Sequence, residues 1–199
     1  LLVGGLSLLQ MQRMDQDSTE VGANWMPSIL ALNDMSREFL RVRALTLRLF
    51  VNRDVQATRN TEQELEQIKG QLSEAVERYR KLISSQVEQA IFDHYLSAQN
   101  EYLREQSKFV ELSRQDKLEE GRAVVNGELN GHASDAAQAL VDLTELNKKG
   151  AAASVAEGRA VFAAAINWVV IFMVLAVVLT IVLALVLTRS IVKPLSEAV

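Results

Sequence analysis

Four arginines lie close together in one short segment, and their spacing can bring several guanidinium groups to one side of a helix. They are Arg37, Arg41, Arg43 and Arg48, within the stretch REFLRVRALTLRLF. A guanidinium group pairs with a carboxylate through two parallel hydrogen bonds, a geometry that lysine cannot match. The segment therefore predicts either a site for an organic anion or a set of surface ion pairs with neighbouring acidic residues.

The same segment has helical periodicity with two apolar seams. At about 100° per residue, the first seam has heptad spacing and predicts the contact with the rest of a bundle. Its residues are Leu32, Met35, Phe39, Val42, Thr46 and Leu49. The second, which we call the outer seam, consists of Leu40, Ala44, Leu47 and Val51. Because one seam is enough to close the bundle, the outer seam predicts a contact with a further partner.

The arginines border this outer seam on both sides. Arg37, Arg41 and Arg48 follow one rim, whereas Arg43 lies on the opposite rim and faces the core side. If a second copy of this helix packs on the outer seam, like charges that meet across the two-fold contact repel each other and favour an anion between them. The arginines then predict an anion site at or near this dimer contact, with Arg43 as its innermost cation.

Three further segments carry apolar residues at heptad spacing. The second segment has Leu65, Ile68, Leu72, Ala75, Tyr79 and Leu82; the third, which is looser, has Val87, Ile91, His94, Ala98, Tyr102, Phe109 and Leu112; the fourth has Val125, Leu129, Ala136, Leu140 and Leu143. Short connections between such stripes predict an all-α, up-down-up-down antiparallel four-helix bundle. No alternating β-branched pattern indicates a strand in this part of the chain.

Start signals and breakers suggest where these helices begin. Three pairs have the spacing of a capping box, namely Thr61 with Glu64, Ser85 with Glu88, and Asp116 with Glu119. They predict turns near residues 52–60, 83–86 and 114–118. Pro27 lacks an amide proton and predicts a kink or a short break at Trp25–Met26.

Two apolar segments flank the predicted bundle. Residues 163–188 contain no charged side chain and are long enough to span a bilayer. Residues 1–9, LLVGGLSLL, are expected to be the end of a first transmembrane helix that starts before Leu1, with a cleaved signal peptide as the alternative. Residues 10–162 then form a soluble sensor domain between two membrane helices, with which the bundle is continuous. Arg189 and Lys193 predict a cytoplasmic C-terminus and hence a bundle on the outer, periplasmic face of the inner membrane.

Composition argues against several other classes of protein. The chain has no cysteine and a formal net charge of −4, which favours neither a disulfide framework nor a nucleic-acid partner. It lacks a phosphate-binding loop, a nucleophile elbow and an HExxH motif, so no enzyme activity and no cofactor are predicted. His94 and His132 have no metal-ligand spacing and are expected to be structural.

The order of these parts resembles that of methyl-accepting chemotaxis receptors with a four-helix-bundle sensor domain. The resemblance rests on NWMPSI before the arginine-rich helix, LVDLTELNKKGAAASVAEG in the fourth helix, the second span, and TRSIVKPLSEAV after it. In this last stretch, residues 189–199 resemble the start of a HAMP linker. The resemblance implies a homodimer whose cytoplasmic domain contacts a kinase and an adaptor, although similar sensors also resemble those of membrane histidine kinases and diguanylate cyclases.

The resemblance also implies roles for particular residues. In amino-acid-sensing relatives, arginines of the first helix from both subunits bind the ligand's carboxylates, and polar groups of the fourth helix bind its amine. The corresponding candidates here are the four arginines with Asn33, Thr144 and Asn147. The arginine spacing differs from that of those relatives, so a di- or tricarboxylate or an aromatic acid is considered in place of an amino acid. A bundle that recognises a periplasmic protein partner is the alternative of a different class.

Overall fold

A computed structural model describes residues 19–51 and 54–189 of the chain, and these residues form helices and turns without a strand. The elements are a π-helical segment at Val21–Trp25, α1 at Met26–Val51, α2 at Val55–Arg80, α3 at Gln86–Arg114, the short α4 at Leu118–Val124, a second π-helical segment at Val125–Leu129, and α5 at Asn130–Leu187. They fall into two compact units, the first formed by Val21–Ala152 and the second containing residues 153–189 of the described part.

The first unit is the predicted antiparallel four-helix bundle. Contacts between helices give the directions: α1 pairs Asp34 with Arg78 near the end of α2, at 2.7 Å, and Arg48 with Glu64 near its start, at 3.5 Å. α3 runs parallel to α1, because Gln106 Nε2 donates to Thr46 Oγ1 at 2.6 Å and later residues of the two helices also meet. α5 packs against α2, because Asn147 of α5 donates a hydrogen bond to the Tyr79 hydroxyl of α2.

The heptad residues predicted for α1 are confirmed as core. All six are buried, with at most 2% of each residue exposed. Aromatic rings from α2 and α3 fill the space beside them. Phe39 meets Tyr102 edge to face with ring centroids 5.2 Å apart, and Tyr79 contacts Phe92 at 5.4 Å. Such contacts stabilise a core beyond the area that the rings bury.

The looser series predicted for the third helix is wrong at two positions. Val87 is 61% exposed and His94 is also exposed, whereas Phe92 and Tyr95 are fully buried. The true stripe passes through polar residues as well as apolar ones: Glu88, Gln99, Glu105 and Gln106 are all buried. The buried face therefore differs from the predicted one, because Glu88 and Gln106 form hydrogen bonds with other helices and Glu105 pairs with Lys108 of its own helix, which makes their burial acceptable.

One of the three predicted capping boxes is confirmed. Ser85 precedes α3 and its side chain accepts from Glu88 N at 3.1 Å, while the Glu88 carboxylate turns back to accept from Ser84 N at 2.9 Å. The box at Thr61 is wrong, because α2 begins six residues earlier and Thr61 is a buried interior residue whose hydroxyl donates to Ala57 O.

The true caps of α2 and α4 use other residues. Asp54 caps α2 and its carboxylate accepts from Ala57 N at 2.7 Å. The box predicted at Asp116 is also wrong: Lys117 occupies the cap position of α4 without a side-chain hydrogen bond. Asp116 has a φ of 58°, in the left-handed region that aspartate tolerates better than most residues. Asp116 therefore belongs to the turn before α4 and does not cap that helix.

The irregularity predicted at Pro27 lies just before it. The π-helical segment Val21–Trp25 ends where α1 begins. Proline cannot donate to the carbonyl four residues earlier, and a wider turn relieves the clash with that carbonyl.

The second unit contains a long apolar helical stretch. Within Glu119–Leu187, the most apolar eighteen residues have a mean hydropathy of 3.4 and none of them is buried, so length and composition allow this helix to cross a membrane. Large side chains here, such as Met173 and Leu179, are each 62% exposed. The predicted first membrane helix at residues 1–9 and nearly all of the HAMP segment, residues 190–199, lie outside the described residues.

Candidate functional site

Three of the four arginines in α1 form ion pairs within the chain. Arg37 contacts Glu38 at 2.8 Å, and Arg41 contacts the other oxygen of the same carboxylate at 3.0 Å. Arg48 reaches Glu64 of α2 at 3.5 Å. The hydrogen bond to Glu38 raises the pKa of Arg37 further above its usual value. Each of these three cations therefore has at least one acidic contact within the chain.

Arg43 has a different environment. It is half-buried, and no carboxylate of the described residues lies within 4 Å of its guanidinium group. It borders a pocket of about 290 Å³, a volume that includes the pocket's open mouth. The other residues around this Arg43 pocket are Thr46, Leu47, Tyr102, Val125, Leu129, Asn130 and Ala133. Three helical elements and the second π-helical segment therefore meet around one cation that has no acidic partner among the described residues.

A buried polar cluster borders the Arg43 pocket. Thr46 donates its hydroxyl proton to Val42 O at 2.7 Å, and its oxygen accepts from Gln106 Nε2 at 2.6 Å and from the Tyr102 hydroxyl at 3.3 Å. Burial raises the pKa of Tyr102 above its usual value, against the lowering effects of the Thr46 hydrogen bond and the Arg43 charge. Tyr102 is therefore a neutral phenol that can donate its proton.

A second polar cluster, which we call the closed centre, links the end of α2, the start of α3 and α5. Tyr79 donates to Glu88 Oε1 at 2.7 Å, and Asn147 Nδ2 lies 3.1 Å from the same oxygen and 3.1 Å from the Tyr79 hydroxyl. Glu88 is 1% exposed, and Tyr79 and Asn147 are fully buried. Burial, then the hydrogen bond and charge of Glu88, raise the pKa of Tyr79 well above its usual value. This cluster is enclosed on all sides and connects three helices.

The structure does not bring the predicted polar partners to Arg43. Asn147 belongs to the closed centre and lies fourteen residues after Ala133, which is roughly 21 Å along α5. Thr144 is half-buried and donates its hydroxyl to Leu140 O. Asn33 is exposed on α1, about 15 Å before Arg43. None of the three lines the Arg43 pocket.

The outer seam is exposed within the single chain. Leu40 is 57% exposed, Leu47 51% and Val51 75%, and Ala44 is exposed as well. Leu47 also lines the Arg43 pocket, so the seam and the pocket share an edge. An apolar strip of this kind on a helix is typical of a surface that contacts another molecule.

Comparison with known families identifies the type of module. Residues 1–162 match the family model described as a four helix bundle sensory module for signal transduction. The chain belongs to this family. A sensory module of the chemoreceptor type is therefore the function of the bundle at family level, and membrane association is the usual setting of such modules.

One curated relative extends over nearly the whole chain. It is the protein named "Putative sensory transducer protein YvaQ" of Bacillus subtilis (strain 168), 24% identical over 195 residues, which is 98% of this chain and 34% of that protein. The sensory module thus spans about a third of the relative's length.

Sequence reasoning missed most residues of the Arg43 pocket. Thr46, Tyr102, Val125 and Leu129 were identified only as members of core stripes. A useful signal was present: Thr46 is the single hydroxyl in the apolar seam of α1, and a polar group at such a position requires a partner on another helix.

Proposed function

We propose that this chain is the sensing and membrane-spanning part of a chemoreceptor that binds a small organic anion outside the cell membrane. The observation that carries the proposal is Arg43, a half-buried cation that lines a pocket and has no acidic partner among the described residues. A buried or half-buried charge without a counter-ion is unfavourable, and an anionic ligand would supply the missing charge.

The site of binding is proposed at the edge of a homodimer. Leu47 belongs to both the outer seam and the Arg43 pocket, so a second subunit packed on the seam would border the bound anion. Arg37, Arg41 and Arg48 lie along the other rim, where each is engaged in an ion pair within the chain. They would take no part in binding the anion.

The signal is proposed to pass through α5. Residues 10–162 would form the external sensor domain, residues 163–188 the second membrane span and residues 189–199 the start of a HAMP linker, with residues 1–9 ending the first span. A ligand with different affinities for two arrangements of the helices would shift their populations and displace α5 slightly. The receiving domain would contact a cytoplasmic kinase and adaptor, or serve as a histidine kinase or diguanylate cyclase.

Ligand binding can be tested with the 199-residue chain in lipid nanodiscs. Thermal unfolding is followed in the presence of a panel of organic acids, and we expect at least one acid to raise the melting temperature. Arg43→Ala should abolish that rise, whereas Arg48→Ala, which removes an equal charge from the same helix, should preserve it. If no acid shifts the transition, and a soluble external protein binds the bundle instead, direct sensing of an acid is wrong.

The dimer contact has its own test. Ala44→Glu introduces a charge into the middle of the outer seam and should weaken self-association of the chain in detergent. Sedimentation velocity, with and without the acid identified above, measures the effect. An unchanged sedimentation coefficient in both conditions would contradict the seam as the dimer contact.

A further inference from the structure

The Arg43 pocket is built from one chain. Its eight bordering residues belong to α1, α3, the second π-helical segment and the start of α5, all within the compact unit Val21–Ala152. The anion sites implied by the sequence lie between two subunits and need both. The geometry here differs, because the cation and the apolar walls already face one space inside a single protomer.

The charges around the pocket limit the charge of its occupant. Arg43 is the one charged residue among the eight, and the neutral polar groups are those of Thr46, Tyr102 and Asn130. A single guanidinium group balances a single carboxylate through a bidentate contact. A second or third carboxylate would have to lie against apolar walls, where desolvation without a partner is costly.

The remaining walls limit the shape of the occupant. Leu47, Val125, Leu129 and Ala133 are apolar. The volume of about 290 Å³ includes open solvent at the mouth, so the enclosed part of the pocket is smaller than this. The pocket therefore fits an acid whose apolar body contains only a few carbon atoms or one small ring.

A second donor is available for the carboxylate. The Tyr102 hydroxyl reaches Thr46 Oγ1 at 3.3 Å, which is long for a hydrogen bond between two oxygens. Gln106 Nε2 contacts the same Thr46 oxygen at 2.6 Å and satisfies it without Tyr102. The Tyr102 hydroxyl can therefore turn toward a ligand carboxylate on Arg43 at little cost.

We infer that the Arg43 pocket binds a monocarboxylate with a short apolar body, one molecule per chain, using the residues of a single protomer. The inference rests on the proposed function and narrows it in ligand class and in stoichiometry. The carboxylate contacts Arg43 and Tyr102, and the apolar body packs on Val125 and Leu129. Because Val125–Leu129 leads directly into α5, an occupant that contacts both α1 and this segment ties their positions together.

Isothermal titration calorimetry on the 199-residue chain in nanodiscs tests the inference. The probes are 3-methylbutanoate and benzoate, compared with succinate and citrate. We expect one monocarboxylate per chain and an affinity at least about tenfold above that for succinate or citrate. Arg43→Ala and Leu129→Asn should each weaken binding about tenfold or more, whereas Arg48→Ala should change it less than about twofold. Circular dichroism identifies any variant that fails to fold.

The subunit requirement is tested by removing the outer seam without adding charge. The variant Leu40→Asn/Val51→Asn changes two seam residues that do not border the pocket, and its mass is measured by light scattering. Binding with unchanged stoichiometry and affinity supports a site within one protomer. A stoichiometry of one acid per two chains overturns the inference, whether or not the variant remains dimeric.

The outcomes separate this inference from the broader function. If succinate or citrate binds through Arg43 and the monocarboxylates do not, the ligand class is wrong and the anion-sensing function stands. If an acid binds once per two chains and is lost with Arg43, the location is wrong and the function again stands. Binding of no acid, or binding that ignores Arg43→Ala, overturns both.

Discussion

The bundle contains two polar clusters that place a charged group against the core in opposite ways. At the closed centre, Glu88 is 1% exposed, and both of its carboxylate oxygens accept hydrogen bonds from Tyr79, Asn147 and Ser84. At the Arg43 pocket, the cation is half-buried and has no acidic partner among the described residues. At the closed centre both oxygens of the charged group are therefore satisfied, although Asn147 Oδ1 beside it has no partner among the described residues, whereas at the pocket the charged group itself has no acidic partner there.

This difference in bonding distinguishes a structural cluster from a candidate binding site more clearly than the types of residue do. Both clusters use a charged residue, a tyrosine and a neutral polar residue on three helices. A buried charge with complete hydrogen bonding fixes the helices relative to each other, whereas a charge with a spare face beside a cavity can accept a ligand. The following variants test whether the two clusters behave in these two ways.

The largest effect is expected from Glu88→Ala at the closed centre. The substitution leaves the Tyr79 hydroxyl and the Ser84 amide without their acceptor, removes one of the acceptors of Asn147 Nδ2 and removes a cap of α3. We expect a loss of about 3 kcal/mol in the free energy of unfolding, which corresponds to a fall of roughly 6–12 °C in melting temperature. Thermal circular dichroism of the full chain in detergent measures it.

The control for Glu88→Ala is Glu66→Ala. Glu66 is also on a helix, but its side chain is 73% exposed and pairs with Lys69 of the same helix. Its loss should change the free energy by less than about 0.5 kcal/mol. Equal losses from the two variants would contradict the description of the closed centre as a structural cluster.

A somewhat smaller loss is expected from Gly150→Ala, one turn beyond Asn147. A methyl group at Gly150 would lie 2.6 Å from Cζ3 and 2.7 Å from Cζ2 of Trp25, so the indole ring or α5 would have to move. Overpacking of this kind costs about 1–3 kcal/mol. The same thermal measurement applies, and a smaller loss in a Trp25→Leu background would identify the ring as the cause.

The control for Gly150→Ala is Gly70→Ala in α2. A methyl group there meets nothing within 4 Å. Alanine is favoured over glycine inside a helix, so this variant should gain about 0.5–1 kcal/mol. A loss of stability from Gly150→Ala together with a gain from Gly70→Ala would support the close contact between Gly150 and Trp25. Changes of the same sign in the two variants would contradict it.

At the Arg43 pocket, Thr46→Val should cost about 1–2 kcal/mol. Valine keeps the shape but removes the acceptor of the bond from Gln106, whose other amide atom, Oε1, already has no partner among the described residues. Replacing both residues, as Thr46→Val/Gln106→Leu, removes the orphaned amide and should recover part of the loss. A double-mutant cycle from urea unfolding gives the coupling energy. A coupling near zero would show that this bond does not support the pocket.

The sequence predicts the helices and the α1 core well, because a strict heptad pattern by itself identifies the face of the helix that is buried. It predicts α3 less well, since Glu88 and Gln106 look like solvated positions until their partners on other helices are known. The cap of α2 was missed for a related reason: Thr61 has the right spacing to Glu64, but Asp54 takes the role eleven residues before Leu65, the first apolar core residue of α2.

In the candidate site, too, features within one helix could be predicted and contacts between helices could not. The arginine segment was found from its composition, and the exposed outer seam agrees with its calculated phase. Which arginine lacks a partner could not be read from α1 alone, because Arg48 is neutralised by Glu64 of the next helix. Asn147 was selected by analogy and belongs instead to the closed centre. Contacts between helices decide these roles. Those contacts depend on how each helix is rotated about its axis relative to its neighbours, which the sequence of one helix does not specify.

The smallest effect is expected from the surface pairs that belong to neither cluster. Arg78 contacts Asp34 at 2.7 Å, with 53% and 32% of the two side chains exposed, and Asp34 keeps Arg37 as a second partner. Exposed pairs contribute about 0–1 kcal/mol and are screened by salt. We therefore expect a coupling energy below about 1 kcal/mol between Arg78→Ala and Asp34→Ala, decreasing further in 0.5 M salt. A larger, salt-independent coupling would mean that the surface ion pairs fix the helices as firmly as the closed centre does, and exposure would then fail as the criterion that separates the arginines of α1.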